Sequence, residues 1–389
     1  MNKTFCPLPW KEISSSPSGS VRLCCSSTSG SNLSLHSDGT VAKMSDDLNE
    51  SWNTDFFKDV REKMLTGKNV SACSNCYKQE AAGIHSERLQ WIENFPDIKP
   101  ENLTTKAELS EVEQLDLRLG RVCNLQCRMC GPYSSTSWEP TWKALGNLVN
   151  QPDQKTWDKL NQNNWPENPD VWEQFKLFVP KLRRVYLTGG EPFLVSKNKE
   201  FLKFCIDSGH ASHIQLRYST NGTIWDAELP SMWSHFEKVT LNFSIDGLDE
   251  VNNYIRFPAR WNQLMKNLDS AKAASRVAPI HISVSTAVQA YNIFQISELI
   301  SFFREKELNV YLDLIHQPSY LSLAVLSPEL SEKAKLKLQN EISYPGVTGL
   351  IQLLNSSKHQ EWNQFIAYTK KLDEIHEQNI SQVIPELGI

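Results

Sequence analysis

The sequence predicts an α/β fold of parallel strands alternating with helices, preceded by a small cysteine-rich domain and followed by further helices. Three observations lead there. Six short runs of β-branched and aromatic residues lie between residues 112 and 317 with helix-length segments between them, the pattern of βα units on a parallel sheet. The 389 residues, 40% of them hydrophobic, suffice for one large core and a smaller one beside it. The nine cysteines are grouped, five before residue 80 and three within 123–130, with Cys205 apart. The expected division is 1–110 for the cysteine-rich domain, 111–320 for the strand-and-helix body and 321–389 for a C-terminal helical extension.

At the N-terminus, MNKTFCPLPWKE has a lysine with no apolar run behind it, and no stretch of about 18 apolar residues occurs anywhere. A cytoplasmic protein, neither secreted nor membrane-spanning, is expected, and in that compartment thiols stay reduced, so grouped cysteines read as metal ligands rather than disulfides. A net charge of -5 gives no overall electrostatic footprint for nucleic acid.

The first strand of the body is VEQLDLRLG, just before Cys123. The others are RRVYLTGGEP, ending at Pro192, HIQLRYSTNG (213–222), KVTLNFSIDG (238–247), PIHISVSTAVQ (279–289) and LNVYLDLIHQ (308–317). Between them, SKNKEFLKFCIDSGH and RWNQLMKNLDSAKAAS read as helices, with Cys205 a buried core residue. At period two, Leu115, Leu117, Val185, Leu187, Leu216, Leu241, Phe243, Ile282, Val284, Leu312 and Leu314 share one face. Asp116, Arg118, Tyr186, Gln215, Arg217, Asn242, Asp246, Ser285, Tyr311 and Asp313 fall on the other. Helices over the apolar face leave the polar face to line a substrate cavity; an antiparallel sheet with one solvated face is the alternative. The insert 133–180 carries Trp138, Trp142, Trp157, Trp165 and Trp172, and reads either as core-facing helix or as a lid over that cavity.

CNLQCRMC, Cys123 to Cys130, puts three thiols within eight residues. Three ligands leave one metal position open, whereas a structural zinc takes four protein ligands, so an iron-sulfur cluster with one iron left for another ligand fits better than zinc. With LTGGEP after the second strand, CNLQCRMC resembles the CxxxCxxC signature of the radical S-adenosylmethionine (SAM) enzymes. The resemblance implies a partial (β/α)6 barrel, a 4Fe-4S cluster on Cys123, Cys127 and Cys130, and SAM bound at its open iron. The cluster would split SAM to a 5′-deoxyadenosyl radical, fed by an electron donor such as flavodoxin or ferredoxin. It also implies that Gly189, Gly190 and Glu191 hold the SAM amino group, that Ser219, Asn221 and Ser244 lie near its ribose or carboxylate, and that Arg256 forks onto the carboxylate. Ser219–Gly222 and Ser244–Gly247 also read as plain strand-ending turns. Met129 stands where that family often has an aromatic residue.

Cys6, a spacer, Gly19, four residues and Cys24, followed by the CxxC of Cys73 and Cys76, suggest two hairpin-like segments closing around one metal centre. This resembles the SPASM/twitch domains of radical SAM enzymes, placed here before the barrel, and implies a second, auxiliary 4Fe-4S cluster; a four-cysteine zinc ribbon is the alternative, and Cys25 is a spare thiol or a substitute ligand. On the polar strand face, Arg118, Arg217, Asp313 and His316 are expected across the cavity mouth as substrate-binding or catalytic groups. Two buried guanidiniums there need partners, supplied by Asp116, Asp246 or Asp313 or by an anionic substrate. The C-terminal SEKAKLKLQNEIS and KHQEWNQFIAYTKKLDEIHEQ are amphipathic helices without a readable motif. The resemblance favours a peptide or protein substrate, with a small molecule or nucleoside second and a non-catalytic metal scaffold third. No winged precursor-binding domain is visible.

Overall fold

The computed structural model describes residues 3–28, 32–81, 85–355 and 359–389. The chain forms two compact units. One comprises Met1–Arg121, Lys159–Tyr218 and Ser231–Val239; the other comprises Val122–Asp158, Ser219–Pro230 and Thr240–Ile389. The boundaries expected at 110 and 320 therefore fall inside units. The reason at the first is a backbone ladder: β1 (Glu12–Ser15) pairs in parallel with β3 (Gln114–Arg118), Ile13 opposite Leu115, so the cysteine-rich segment is part of a sheet.

In the first unit the strand order is β2-β1-β3-β4-β5, with β2 at Val21–Arg22, β4 at Arg184–Thr188 and β5 at Gln215–Thr220. β3, β4 and β5 pair in parallel, Leu115 opposite Val185 and Val185 opposite Leu216, which excludes the antiparallel alternative. The expected apolar face holds: Leu115, Leu117, Val185, Leu187 and Leu216 are buried, each contributing about 1.5–3 kcal/mol. The helices Pro169–Lys176 and Ser196–Asp207 supply Trp172, Phe175 and Phe201, whose rings meet at 5.4–6.5 Å. Cys205, on the second of these helices, is fully buried as expected. Asn168 caps the first helix by accepting from the Asp170 N–H, with Pro169 at its opening position.

Arg61, on the helix Asp55–Leu65, knots the N-terminal segment together. Its fully buried guanidinium donates to Pro9 O, Trp52 O, Asn53 Oδ1 and Thr105 O, and lies 5.0 Å over the Trp52 ring. Burial lowers its pKa to about 9. Gly19 has φ +73°, and a Cβ there would stand 2.7 Å from the Trp165 ring, so both its backbone and the indole require glycine.

In the second unit the order is β6-β7-β8, at Lys238–Ser244, Ile280–Val288 and Asn309–Leu314. β7 and β8 are parallel, Val284 opposite Val310. Leu241, Phe243 and Val284 are buried; Leu312 and Leu314, expected on the same buried face, are only half-buried on β8. The C-terminal helices Pro328–Leu338, Val347–Asn355, Trp362–His376 and Ile380–Val383 share one apolar core with Trp138, Tyr254 and Tyr291.

The tryptophan-rich insert is not a lid of exposed aromatics. It folds as the helices Trp138–Leu145, Gln154–Gln162 and Pro169–Lys176, and Trp138, Trp157, Trp165 and Trp172 are all buried. Trp138 and Trp142, one turn apart, meet edge to face at 5.6 Å. No helix among the described residues is long and apolar enough to cross a membrane.

Candidate active site

In the second unit the loop Cys123–Cys130 is fixed by backbone and side-chain bonds. Gln126 N–H donates to Phe257 O at 2.6 Å, Arg128 N–H to Ile255 O at 2.8 Å, and Ser135 and Ser137 hydroxyls to Leu125 O and Cys123 O. Cys127 is buried, whereas Cys123 and Cys130 are partly exposed. A hydrogen bond with Cys130 and then burial raise the Cys127 pKa well above the ordinary thiol value. The same bond lowers that of Cys130, so Cys130 ionises first. Among the described residues no three His, Cys, Asp or Glu side chains are drawn together at the spacing of a single bound ion.

Two expected SAM-site residues reach this loop. Asn221 Nδ2 lies 3.8 Å from Cys123 Sγ and donates to Asn124 Oδ1 at 2.9 Å, while Asn221 Oδ1 accepts from Thr223. Arg256 Nη1 lies 3.9 Å from Cys127 Sγ, and its Nε is 2.8 Å from Asp246 Oδ2, an ion pair out of line for a hydrogen bond. Burial opposes the charge on Arg256, and Asp246 with the Cys127 and Cys130 sulfurs outweighs it, so its pKa is raised. Asp246 is fully buried; burial raises its pKa against the pull of Arg256, and its Oδ1 accepts from the Ala287 N–H at 2.7 Å. Asp246 is thus committed to Arg256 and not to a strand-face arginine. Ser219 and Ser244, near the ends of β5 and β6, are half-buried.

In the first unit Gly189 has φ +123°, and a Cβ there would lie 2.6 Å from Leu119 N, so only glycine allows this approach to the turn after β3. Gly190 N–H donates to Gly120 O at 3.1 Å. Glu191 is buried and its Oε1 accepts from Phe193 N–H at 3.2 Å, capping the turn Pro192–Leu194.

The strand-face arginines differ from expectation. Asp116 is bonded by Ser14 at 3.1 Å and by Arg22 at 3.3 Å, so β2 supplies its cation. Arg118 is half-buried, its Nε has no hydrogen-bond partner, and burial followed by Arg22 lowers its pKa. Arg217 is exposed, lying 5.0 Å over the Tyr186 ring, so it carries little of the desolvation penalty assumed for a buried guanidinium. Neither has a carboxylate partner among the described residues. In the second unit Asp313 is exposed and accepts from Ser285 Oγ at 3.1 Å; His316 is exposed too.

Cys6, Cys24, Cys73 and Cys76 line one cavity of about 20 Å³ together with Arg88. Only the first segment is a hairpin, β1 pairing antiparallel with β2 and Ser15 opposite Val21. Cys24 follows β2, Cys73 ends the turn Ser71–Cys73, and Cys76 sits in the first turn of the helix Ser74–Ala81, because the bonds from Thr28 to Ala72 and Ser74 bring that helix against the Cys24 loop. Burial pushes the Cys73 thiol up to about 12, and lifts Cys6 and Cys24 well above the usual thiol value. Cys25 is not among the residues lining that cavity, and burial, then Asp116 and Glu87, raise its pKa well above the usual thiol value.

Residues 117–302, which take in the three-cysteine loop, match the profile of the radical SAM superfamily. The chain carries a radical SAM enzyme domain. That domain covers the loop, the Gly189-Gly190 turn and strands β4 to β7. The chain is 22% identical over 222 residues to the sporulation killing factor maturation protein SkfB of Bacillus subtilis (strain 168), a match covering 57% of this chain and 47%, about half, of that relative. Solved structures similar to it include native anSMEcpe with bound AdoMet (17% identity, TM-score 0.43, 61% of this chain and 62% of the other). Another is Streptococcus suis SuiB bound to precursor peptide SuiA (16%, TM-score 0.38, 74% and 63%).

The radical SAM family implies a 4Fe-4S cluster and SAM, and the loop fits them: three thiols on a backbone already fixed by hydrogen bonds, with Arg256 beside one of them to offset thiolate charge. The sequence did not single out Gln126, Arg128, Asp373 or His376, which hold that loop. Their partners stand about 245–250 residues apart along the chain, so no local pattern marks them.

Proposed function

We propose that Cys123, Cys127 and Cys130 hold a 4Fe-4S cluster at which SAM is bound and reductively cleaved, in a cytoplasmic enzyme that acts on a peptide or protein. When bound, the cluster supplies the electron that splits the sulfonium, and the 5′-deoxyadenosyl radical released takes a hydrogen atom from the substrate. The single observation behind this reading is the three-thiol loop, inside the span that matches the radical SAM profile and fixed by its own hydrogen bonds.

The roles of the surrounding residues follow from chemistry. Arg256 places positive charge at the Cys127 sulfur, which disperses thiolate charge and favours the reduced state. In the same reading Asn221 steadies Cys123 and, with Ser219 and Ser244, offers hydrogen bonds to the ribose or carboxylate of SAM. Gly189 and Gly190 keep the backbone accessible to the amino group, with Glu191 as its acceptor. Arg118 and Arg217, without carboxylate partners, and Asp313 are the substrate-positioning groups. Cys6, Cys24, Cys73 and Cys76, which share one cavity, are read as the ligands of a second, auxiliary cluster of twitch type, and an electron donor such as flavodoxin or ferredoxin would reduce the SAM-binding cluster.

The substrate class rests on the relative SkfB, whose name describes the maturation of a killing factor; a peptide or protein is the substrate that this description supports. The test is anaerobic. Wild-type protein with SAM and dithionite should release 5′-deoxyadenosine, and Cys127→Ala should lose about one cluster's iron together with that release, because two thiolates do not retain the cluster. Continued release by Cys127→Ala would remove the loop from the mechanism.

A further inference from the structure

The three cysteines are tied to the C-terminal helices through the residues on either side of Cys127. Arg128 is fully buried. Its Nη2 donates to Asp373 Oδ1 at 2.6 Å and to Gln378 Oε1 at 3.0 Å, and its Nε to Tyr254 O at 3.0 Å. The guanidinium lies 3.6 Å over the Tyr254 ring. Asp373 is itself fully engaged. Its Oδ1 also accepts from Tyr254 OH at 2.7 Å, and its Oδ2 from Ile380 N–H at 2.7 Å, so the carboxylate joins Arg128 to two other elements at once. From the same helix Tyr368 OH donates to Arg128 O at 2.8 Å.

On the other side of Cys127, Gln126 Oε1 accepts from Thr141 Oγ1 at 2.7 Å and from His376 Nε2 at 3.0 Å. An amide oxygen that already accepts from a hydroxyl needs the imidazole to present an N–H, so Nε2 carries the proton. The ring is stacked at 3.9 Å and 9° on Phe257, the residue whose carbonyl receives the Gln126 N–H.

We propose that Asp373 and His376, on the helix Trp362–His376, are positioning residues for the cysteine loop: they clamp Arg128 and Gln126 and so set the placement of Cys127 between its two fellow ligands before any cluster is inserted. The inference rests on the reading of this loop as a cluster site and adds to it a role for the C-terminal extension, which had no motif. A loop that assembles its ligands in advance loses less conformational entropy on receiving a cluster and holds it longer; outer-shell partners of metal ligands typically affect affinity by about 10–100-fold.

The experiment has one arm on the metal-free chain and one on the reconstituted protein. In the first, anaerobic alkylation by iodoacetamide is followed by mass spectrometry at Cys127, with the buried Cys205 as the control for global unfolding. Asp373→Ala should raise labelling of Cys127 by about 10-fold and leave Cys205 unchanged, as expected of local opening rather than unfolding. Asp373→Asn, which keeps the acceptor and loses the charge, should fall between. In the second arm, protein reconstituted with iron and sulfide should lose iron to a chelator about 10-fold faster in Asp373→Ala, and its reduced cluster should show an altered electron paramagnetic resonance spectrum. If Asp373→Ala does not fold, Gln126→Ala, which releases the His376 side of the clamp, must expose Cys127 in its place. Unchanged protection of Cys127, or equal exposure of Cys127 and Cys205, would overturn the proposal. A wild-type chain that binds no cluster would sink the proposed function alone, since the alkylation arm still judges the clamp.

Discussion

Arg256→Met isolates what the ion pair beside Cys127 does for the fold. Arg256 is nearly buried and Asp246 fully so, at 2.8 Å from each other. Removing the guanidinium leaves a carboxylate in the interior with one remaining donor, the Ala287 N–H at 2.7 Å. Breaking one partner of a buried pair costs about 3–5 kcal/mol, because the surviving charge has lost both water and its counter-charge. For a unit of this size that corresponds to a fall of roughly 10 °C in Tm. The measurement is thermal unfolding of the metal-free chain by circular dichroism at pH 7.5, which needs no cluster. Two controls follow from the chemistry. Adding Asp246→Asn should restore most of the loss, since a neutral amide needs no cation and still accepts from Ala287. Lowering the pH should also shrink the defect. Burial raises the folded pKa of Asp246, so the penalty exists above that folded value and disappears as the pH falls toward the unfolded one, about 4. A Tm within about 2 °C of wild type, or a double variant no better than Arg256→Met, would refute the uncompensated-charge account.

Three further outcomes are expected. Cys73→Ala/Cys76→Ala should lose a second set of about four irons and keep some SAM cleavage, whereas about four irons plus one zinc in the wild-type protein would favour the zinc ribbon. Arg217→Ala should leave uncoupled SAM cleavage within a few-fold of wild type and greatly reduce product formation, and normal turnover of substrate would count against a substrate contact. His376, whose pKa burial and then Arg128 lower to about 4, should be neutral in the folded chain at pH 7. A depressed histidine pKa gives stability that is complete above the unfolded value near 6.5 and is lost as the pH falls toward 4. After allowance for solvent screening this amounts to about 2 kcal/mol, so wild type should lose that much more than His376→Asn between pH 7 and pH 4.5 in urea titrations, and parallel losses would contradict it.

The sequence by itself determined the six body strands, the buried face of β3, β4 and β5, the three-cysteine loop and the glycine turn after β4. Each of these is local: side-chain alternation, a tight cysteine spacing and a positive-φ glycine are all written within ten residues. It suggested a hairpin between Cys6 and Cys24, where β1 and β2 pair antiparallel, but not that β1 joins β3. β1 and β2 are strands of four and two residues, and nothing local marks Glu12, Ser14, Ser15 and Arg22 for the burial they have in the sheet. Tertiary structure alone decided the charge partners. Arg22 takes Asp116, Arg256 takes Asp246, and Arg217 is left exposed, although the strands that carry Asp116 and Arg217 were read correctly. It also decided that Trp138, Trp157, Trp165 and Trp172 of the insert are core residues and that a helix near the C-terminus holds the loop of Cys127. Periodicity fixes which way a side chain points along its own element, but the neighbour it meets depends on packing between segments distant in the chain. Arg128 and Asp373 stand 245 residues apart, and only the folded backbone brings them to 2.6 Å.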